Sequence, residues 1–383
     1  MELIDLSEVL CSFEKSKVSC SICLRDDLFK ETALKFANSL RKCGFVQIVG
    51  HGVSERVISS AMRESALFFN KPGELKEACI SKDKARRGYS PSLSENFASL
   101  IGTSGKPNDM VQKYRIGPVI DATSASSNTP YYTTKDGRIH FYPNNETELA
   151  EHFPTTSTEY YKEMEQLAIK LLRLILYCSG APISGFDNIM DKHTSILSLN
   201  YYEPVNMNLE QTAEPQVRVE LHTDVSLLTI VAQSAEQDTA AGALQIFVPG
   251  DNSEGGEFIT VPYVPGSLVV NIGDCLQDWS QERFPSALHR VINLPRRSED
   301  KSKIGESRND GSRYSLAYFC APNYDSLMVW PPDSTAAPTI AEAMDMGGAL
   351  PASASPIMDY STWRKQHIKK SMQQLKKNAT KPL

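Results

Sequence analysis

Two kinds of hydrophobic pattern divide the chain near residue 195. Before it, apolar residues recur at helical spacing in three long segments, at 28–44, 55–70 and 156–180. A short apolar run at 45–50 predicts a strand between the first two helices. After residue 195 the apolar residues come in short runs instead, which is typical of strands.

The second half predicts many strands with no helices between them. Its β-branched and aromatic runs are separated by Pro, Gly, Asp and Asn, which is typical of an antiparallel sandwich or jelly roll. We therefore predict a mainly β protein with flanking helices (α+β), built on a double-stranded β-helix (jelly roll) core. The predicted strands lie at 195–204, 219–233, 243–248, 257–264, 266–274, 288–294 and 313–323.

These patterns predict four regions along the chain. Residues 1–125 form an N-terminal region of helices and short strands, and residues 126–194 form a linking segment with a long helix. Residues 195–330 form the jelly-roll core, and residues 331–383 form a C-terminal tail that ends in a basic helix.

Composition and charge exclude several classes of protein. The 383 residues are 41% hydrophobic and carry a net charge of -6, so a general nucleic-acid binder with a concentrated basic face is not expected. No stretch approaches the roughly 18 apolar residues that span a bilayer, and the N-terminus shows no export signal. We expect a cytoplasmic protein, and the sequence does not predict its oligomeric state.

An imidazole and a carboxylate interrupt the predicted strand at 219–233. His222 and Asp224 are two residues apart, so on a strand they would share one face. Buried polar side chains are costly unless they have partners. His289 supplies a further imidazole at the start of another predicted strand. Two imidazoles and one carboxylate match the facial triad that binds non-haem Fe(II) with three positions left open, although zinc accepts the same ligands.

A second constellation lies on the last predicted strand. Arg313 and Ser315 share a strand face, and the fixed fork of an arginine in a barrel interior suits a carboxylate. A dicarboxylate could chelate iron at one end and meet this pair at the other. Asn200 and Tyr202 share a face on an earlier strand and could hydrogen-bond the chelating end. For Arg313 alone, a structural ion pair with an acid is an equally good explanation.

The order of these motifs resembles a known family. The segments "NYYEP", "HTDVSLLTIV", "NIGDCLQDWS", "HRV" and "RYSLAYFCAPN" are similar to those of the 2-oxoglutarate- and Fe(II)-dependent dioxygenases of plants and fungi, together with isopenicillin N synthase. The N-terminal segments "CGFVQIVGHGVSE" and "FFNKPGELKE" resemble the N-terminal region of the same family.

The resemblance implies an oxygenase that uses Fe(II), 2-oxoglutarate and O2 to oxidise a C–H bond of a small molecule. By that resemblance His222, Asp224 and His289 are the iron ligands and the catalytic centre. Arg313 and Ser315 hold the distal carboxylate of 2-oxoglutarate, and Asn200 and Tyr202 contact its other end. The outcome could be hydroxylation, desaturation or oxidative cyclisation, and we expect a role in specialised metabolism.

Two alternatives from other classes stay open. One is an oxidase that resembles isopenicillin N synthase, in which a similar arginine and serine hold the substrate and 2-oxoglutarate is not used. The other is a jelly roll that binds a ligand without catalysis. Succinate formation separates the first alternative from the main interpretation, and failure to bind Fe(II) would favour the second.

Candidate substrate contacts come from two segments of the N-terminal region. "KARRGYSP" contains Arg86, Arg87 and Tyr89, and "QKYRIG" contains Arg115. Because these arginines stand out in an acidic protein, we hypothesise that Arg86, Arg87 or Arg115 recognises a carboxylate on the substrate. Tyr89 and Phe97 could line the pocket, and packing in the hydrophobic core is at least as good an explanation for both. A solvated surface is as good an explanation for the arginines.

Overall fold

The computed structural model describes eleven stretches of the chain that together contain both sheets and the helices around them. They are residues 2–10, 27–80, 87–118, 148–181, 189–191, 193–203, 216–234, 243–249, 255–293, 312–328 and 358–379. The helices are α1 (Ser7–Leu10), α2 (Asp27–Cys43), α3 (Glu55–Phe69), α4 (Gly73–Glu77), α5 (Glu148–Cys178), α6 (Asp274–Trp279) and α7 (Tyr360–Ala379).

The strands run from the N-terminal region to the end of the core. They are β1 (Leu3–Asp5), β2 (Phe45–Val49), β3 (Gly88–Ser90), β4 (Gln112–Ile116), β5 (Ile196–Tyr202), β6 (Val217–His222), β7 (Leu228–Gln233), β8 (Leu244–Pro249), β9 (Gly256–Thr260), β10 (Leu268–Ile272), β11 (His289–Ile292) and β12 (Arg313–Cys320).

The strands form two sheets. The larger has eight strands in the order β1-β2-β10-β7-β12-β5-β4-β3, and the smaller has the order β6-β11-β8-β9. Strand β1 is parallel to β2, and the other pairings among these strands are antiparallel. Strands from the first 125 residues therefore extend the same sheet to which β5, β7, β10 and β12 of the predicted core belong.

The outer face of the larger sheet is covered by helices. Helix α3 packs on α5 and contacts β12 and β5, and α5 contacts β12 and β7. The helical stripe predicted on α5 is buried here: Tyr161 lies edge-on to Tyr318 of β12, with ring centroids 5.2 Å apart. The outward-facing residues of β12 thus supply the main hydrophobic core.

Helix α5 begins earlier than the helical pattern predicts. It starts at Glu148 and runs through Pro154, although proline removes a helix hydrogen bond and usually ends or kinks a helix. Phe153, next to the proline, is fully buried and contacts Phe68 and Tyr114. This packing accounts for a first segment that the local sequence does not favour.

The turn between α2 and β2 depends on a glycine, Gly44. Gly44 has a φ of +68°, and a Cβ added there would lie 2.5 Å from the carbonyl oxygen of Pro285. Its N–H donates to the carbonyl of Leu40 at 2.8 Å, so it ends α2 in the left-handed conformation that glycine allows. Strand β2 can then enter the sheet directly.

The inner faces of the two sheets enclose a second, smaller hydrophobic cluster and a polar cavity. Phe45, Val219, Ile246 and Val291 are among the cluster's buried residues. Two facing sheets with helices on the outside confirm the predicted jelly-roll fold with flanking helices. Within the described part of the chain, no helix has both the length and the apolar character needed to cross a membrane.

Candidate metal centre and co-substrate site

Three polar side chains meet at one end of the cavity. His222 is the last residue of β6, Asp224 lies just after it, and His289 is the first residue of β11. Strands β6 and β11 pair with His289 opposite His222. One ligand atom from each of the three side chains lies within 4.8 Å of the others, so a single metal ion could contact all three.

One part of the sequence prediction for this cluster was wrong, namely the placement of His222 and Asp224 on a single strand. The alternation at 219–233 predicted one strand, but the structure ends β6 at His222 and starts β7 at Leu228. The two strands belong to different sheets. Asp224 therefore reaches His222 from the connection between the sheets and not from the same strand face.

Backbone carbonyls orient both imidazoles. Nδ1 of His222 lies 2.8 Å from the carbonyl oxygen of Glu220, and Nδ1 of His289 lies 2.9 Å from that of Ala287. Because a carbonyl can only accept, each Nδ1 carries the proton and each Nε2 keeps its lone pair. Each Nε2 lies 3.9 Å from Oδ1 of Asp224, so the free lone pairs and this oxygen face a common point.

Two hydrogen bonds hold the carboxylate of Asp224. Its Oδ2 accepts from Oγ1 of Thr229 at 2.6 Å and from Nδ2 of Asn271 at 2.8 Å, which leaves Oδ1 for the metal. Burial raises the pKa of Asp224, but the two imidazoles and these hydrogen bonds outweigh it and lower the pKa below its usual value. The carboxylate is therefore ionised.

The imidazole of His222 favours the neutral form that a metal requires. Burial and the neighbouring His289 lower the pKa of His222 to about 3. Neutral imidazoles and one carboxylate, held from behind by other groups, are a donor set that fits a divalent metal ion. Three protein ligands on one side suit Fe(II) with open positions on the other.

Arg313 is buried, and no carboxylate among the described residues lies beside it. Its Nη2 donates to Oε1 of Gln233 at 3.3 Å, and its guanidinium carbon lies 4.9 Å from the centre of the Tyr202 ring. Within the described part of the chain its Nη1 has no hydrogen-bond partner, and no carboxylate forms a salt bridge with it. A buried cation of this kind needs an anion, which fits the distal carboxylate of 2-oxoglutarate.

The remaining predicted co-substrate contacts lie in register with Arg313 and Ser315. Asn200 pairs with Ser315, and Tyr202 pairs with Arg313. Nδ2 of Asn200 donates to Oγ of Ser315 at 3.3 Å, and its Oδ1 accepts from Oγ of Ser198 at 2.8 Å. All five side chains line the cavity that also contains the three candidate metal ligands.

This cavity has a volume of about 90 Å³. A larger one, of about 550 Å³, lies between α3 and the segment around Tyr263 and Gly266. The larger cavity does not contain the His–Asp–His cluster, which is the single group of metal-ligand type found among the described residues. We therefore assign the chemistry to the smaller cavity.

Of the predicted substrate contacts, the structure brings Arg115 to the cavity. Tyr89 pairs with Tyr114 on the opposite face, where its hydroxyl donates to Oε1 of Gln112 at 2.7 Å. Arg87 precedes this strand on the same side, and a Cβ added at Gly117 would lie 2.6 Å from its Nε. Of the two explanations considered for Tyr89, core packing applies and pocket lining does not, because strand alternation turns it, like Arg87, towards the helices. Arg86 lies outside the described residues.

Lys113 was not predicted as a contact, whereas Phe97 was a candidate for the lining of the pocket. Lys113 is on the same face of β4 as Arg115, two residues away, and Phe97 also lines the cavity. The Phe97 ring lies 5.1 Å from the His222 ring. Glu95 accepts hydrogen bonds from both cations of β4. The signal for Lys113 was present in the alternation of "QKYRIG", but β4 had not been predicted as a strand.

Comparison with known proteins identifies relatives of both halves of the chain. The family model of the 2OG-Fe(II) oxygenase superfamily matches residues 193–322, and the model described as "non-haem dioxygenase in morphine synthesis N-terminal" matches residues 15–136. Homoarginine-6-hydroxylase 2-ODD-C23.1 of Arabidopsis thaliana is 27% identical over 330 residues, which are 86% of this chain and 86% of that protein. Gibberellin 20 oxidase 1 of the same plant is 27% identical over 77% of this chain and 66% of its own length.

Solved structures support the fold. A full-length Neurospora crassa protein, solved in complex with alpha-KG (2-oxoglutarate), superposes with a TM-score of 0.69 at 24% identity, and the match covers 96% of each chain. The rice dioxygenase for auxin oxidation gives a TM-score of 0.62 at 18% identity and covers 97% of this chain and 95% of its own.

Proposed function

The chain belongs to the 2OG-Fe(II) oxygenase superfamily, and we propose that it oxidises a C–H bond of a small molecule at an iron held by His222, Asp224 and His289. It is an enzyme that uses Fe(II), 2-oxoglutarate and O2. One observation carries the ligand assignment: two Nε2 atoms and one carboxylate oxygen face a common point while other groups hold each side chain from behind.

We further propose that Arg313 and Ser315 bind the distal carboxylate of 2-oxoglutarate and that Asn200 contacts its other end. Tyr202, predicted at that other end, lies instead against the guanidinium of Arg313 and belongs with the distal carboxylate. The uncompensated Nη1 of Arg313 supports this assignment. When bound, iron would activate O2, which is the oxidant, and 2-oxoglutarate would supply two electrons and leave as succinate and CO2.

The protein's own residues hold the reactants in place and keep water out. The triad leaves one side of the metal position open towards the cavity, where Phe97 and the inner strand faces exclude bulk water. Arg313 and Asn200 fix the two ends of the co-substrate, so that its orientation relative to the triad is set before the substrate reacts. Hydroxylation, desaturation and cyclisation would all begin with oxidation of a C–H bond of the substrate.

Relatives suggest the size and class of the substrate. The names of similar proteins include homoarginine, gibberellin and proline as the molecules on which they act. Homoarginine and proline are amino acids, and each carries a carboxylate. We propose a small, carboxylate-bearing substrate, with specialised metabolism as the setting.

The test is an anaerobic titration with Fe(II) and 2-oxoglutarate, watched for the weak visible charge-transfer band of the complex and followed by a substrate screen for succinate release. Replacing His222, Asp224 or His289 with alanine should abolish the band and turnover while the circular dichroism spectrum is preserved. If all three variants keep their activity, the ligand assignment is wrong. A normal Fe(II) site that never yields succinate would favour the oxidase alternative.

A further inference from the structure

A buried charged cluster lies in the wall of the cavity beside the candidate metal site. It consists of Glu95, Lys113 and Arg115, which we call the β4 cluster. Lys113 and Arg115 share the inner face of β4 and line the cavity. Their side chains are 7% and 13% exposed, and that of Glu95 is 14% exposed. Charges buried to this degree are costly unless they have partners or a function.

Within the cluster, Glu95 binds Arg115 more completely than it binds Lys113. Arg115 donates from Nη1 to Oε1 at 2.6 Å and from Nη2 to Oε2 at 2.5 Å, and its Nη1 also donates to Oγ of Ser90 at 3.2 Å. This two-pronged geometry occupies the guanidinium fork. Arg115 therefore holds Glu95 in place and has little capacity left for a ligand.

Lys113 has hydrogen-bonding capacity to spare. An ammonium group has three donors, and among the described residues its Nζ donates one hydrogen bond, to Oε2 of Glu95 at 3.1 Å. Asp109 is also near enough to attract it electrostatically, but both oxygens of Asp109 accept from backbone N–H groups of Phe97 and Glu220. The spare donors of Lys113 face a cavity in which a ligand could accept them.

The position of Lys113 separates it from the distal-carboxylate end of the co-substrate site and places it near the metal site. Lys113 pairs with Asn200, which pairs with Ser315, so its backbone stands one strand from Asn200 and two strands, or roughly 10 Å, from Ser315. Its Nζ lies 3.5 Å from the centre of the Phe97 ring, and the other neighbour of that ring is His222.

We propose that Lys113 binds a carboxylate of the substrate, so that the enzyme acts on small organic acids with the reactive C–H bond next to the iron. This inference rests on the function proposed above and names the residue that recognises its substrate. A carboxylate fits better than a phosphate, because a second negative charge would lie close to the Glu95 carboxylate. Recognition of the substrate carboxylate, first considered for Arg115, is thus assigned to Lys113 on the same strand face.

The experiment uses the anaerobic protein loaded with Fe(II) and saturating 2-oxoglutarate. Short carboxylic acids, from acetate to phenylacetate and the N-acetyl amino acids, are each titrated beside their primary amides, with the charge-transfer band and calorimetry as readouts. We expect at least one acid to bind about tenfold more tightly than its amide. A panel in which no acid is preferred over its amide overturns the proposal.

Lys113→Met should then weaken binding of the preferred acid by about tenfold or more and leave its amide unchanged. The matched control is Lys76→Met. Lys76 also touches this strand, since its Nζ donates to Oε1 of Gln112 at 3.1 Å, but it does not line the cavity. If Lys113→Met instead weakens 2-oxoglutarate and spares the acid, the amine belongs to the co-substrate site and the proposal is wrong.

Glu95→Gln should change binding of the acid in the direction opposite to Lys113→Met. Burial lowers the pKa of Lys113 to about 8 although Glu95 raises it, so the variant is titrated at falling pH, where the Lys113 amine is charged. Removing the competing carboxylate should then tighten binding of the acid by about threefold or more. A purely structural cluster would give weaker binding in both the Lys113 and the Glu95 variants, and that result would refute the proposal. Failure of the proposed function itself is recognised earlier, because the wild-type protein would then form no complex with Fe(II) and 2-oxoglutarate before any acid is added.

Discussion

The hydroxyl of Thr229 makes the shorter of the two hydrogen bonds that hold Asp224, at 2.6 Å against 2.8 Å from Asn271. Thr229→Val removes it with little change in side-chain shape. The valine leaves Oδ2 of Asp224 with one donor, so the carboxylate is free to rotate away from the two imidazoles. We therefore expect weaker binding of Fe(II) without loss of the fold.

The size of the effect follows from the charge on the acceptor. A hydrogen bond to a charged group contributes about 1.5–3 kcal/mol, and loss of a group that supports a metal ligand typically lowers metal affinity 10- to 100-fold. Because Asn271 still holds the same oxygen, we expect the lower end, about tenfold or about 1.4 kcal/mol. Asn271→Leu should give a similar loss.

The assay is an anaerobic Fe(II) titration of wild type and variant by calorimetry at fixed pH. Thr223→Val is the matched control, since the Thr223 hydroxyl donates to Oδ2 of Asp274 at 3.1 Å and not to Asp224. An Fe(II) affinity for Thr229→Val that equals that of wild type would refute the argument that Oδ2 must be held for Oδ1 to bind metal.

Three further predictions concern the charged residues and the metal. Burial raises the pKa of Glu95, but Arg115 and then Lys113 outweigh burial and bring the pKa to about 2. The ionised Glu95 therefore stabilises the fold by about 3 kcal/mol. This stability is present above pH ~4.5 and is lost as pH falls towards 2. Urea unfolding should therefore show Glu95→Gln less stable than wild type at pH 7, with a gap that closes in acid; a gap that is constant with pH would contradict this. Arg313→Ala should weaken binding of 2-oxoglutarate by about 2–5 kcal/mol. An unchanged dissociation constant for 2-oxoglutarate would count against the assignment of Arg313 to its distal carboxylate. Saturating Fe(II), at about 100 times its dissociation constant, should stabilise the protein by about 2.7 kcal/mol, an effect that a chelator removes and that Asp224→Ala lacks; equal stabilisation of the variant would place the metal elsewhere.

The alternation of β12 was enough to predict its face. Arg313 and Ser315 were expected to share one strand face, and both line the cavity together with Ala317 and Phe319, the next two residues of the same alternation. A strand buried on both faces still carries this signal when one face bears polar groups, because the side-chain period is two residues. The cavity face of β12 was therefore readable from the sequence.

The connection after His222 was not readable in the same way. The alternation continues through residues 223–227, yet the backbone leaves one sheet there and enters the other. Which sheet a strand joins is decided by its partners, and β6 pairs with β11 while β7 pairs with β10 and β12. Local pattern carries no information about pairing between distant segments, so the break was missed.

The substrate side of the cavity shows the same limit. The segments around Tyr89 and Arg115 were chosen for their residue types, without a strand phase. Once β3 and β4 pair, with Tyr89 opposite Tyr114, alternation assigns Lys113 and Arg115 to one side and Tyr89 to the other. Hydrogen bonding then distinguishes the two cations, because Glu95 occupies the guanidinium fork of Arg115.

The larger sheet has an apolar outer face and a polar cavity face. This difference is the reason why loss of binding in these variants can be interpreted. Its outer face packs against α3 and α5, and the buried apolar residues there form the main core, with Leu316 and Tyr318 of β12 among them. The cavity face instead carries the polar groups whose burial costs free energy. Arg313 lies on that face, and His222 and Asp224 line the same cavity from the smaller sheet and from the connection between the sheets. Shortening them therefore removes polar contacts and leaves the helix-covered core intact. Loss of metal or co-substrate binding in a variant that keeps its circular dichroism spectrum therefore reports on the site, since the stability of the fold derives mainly from the opposite face.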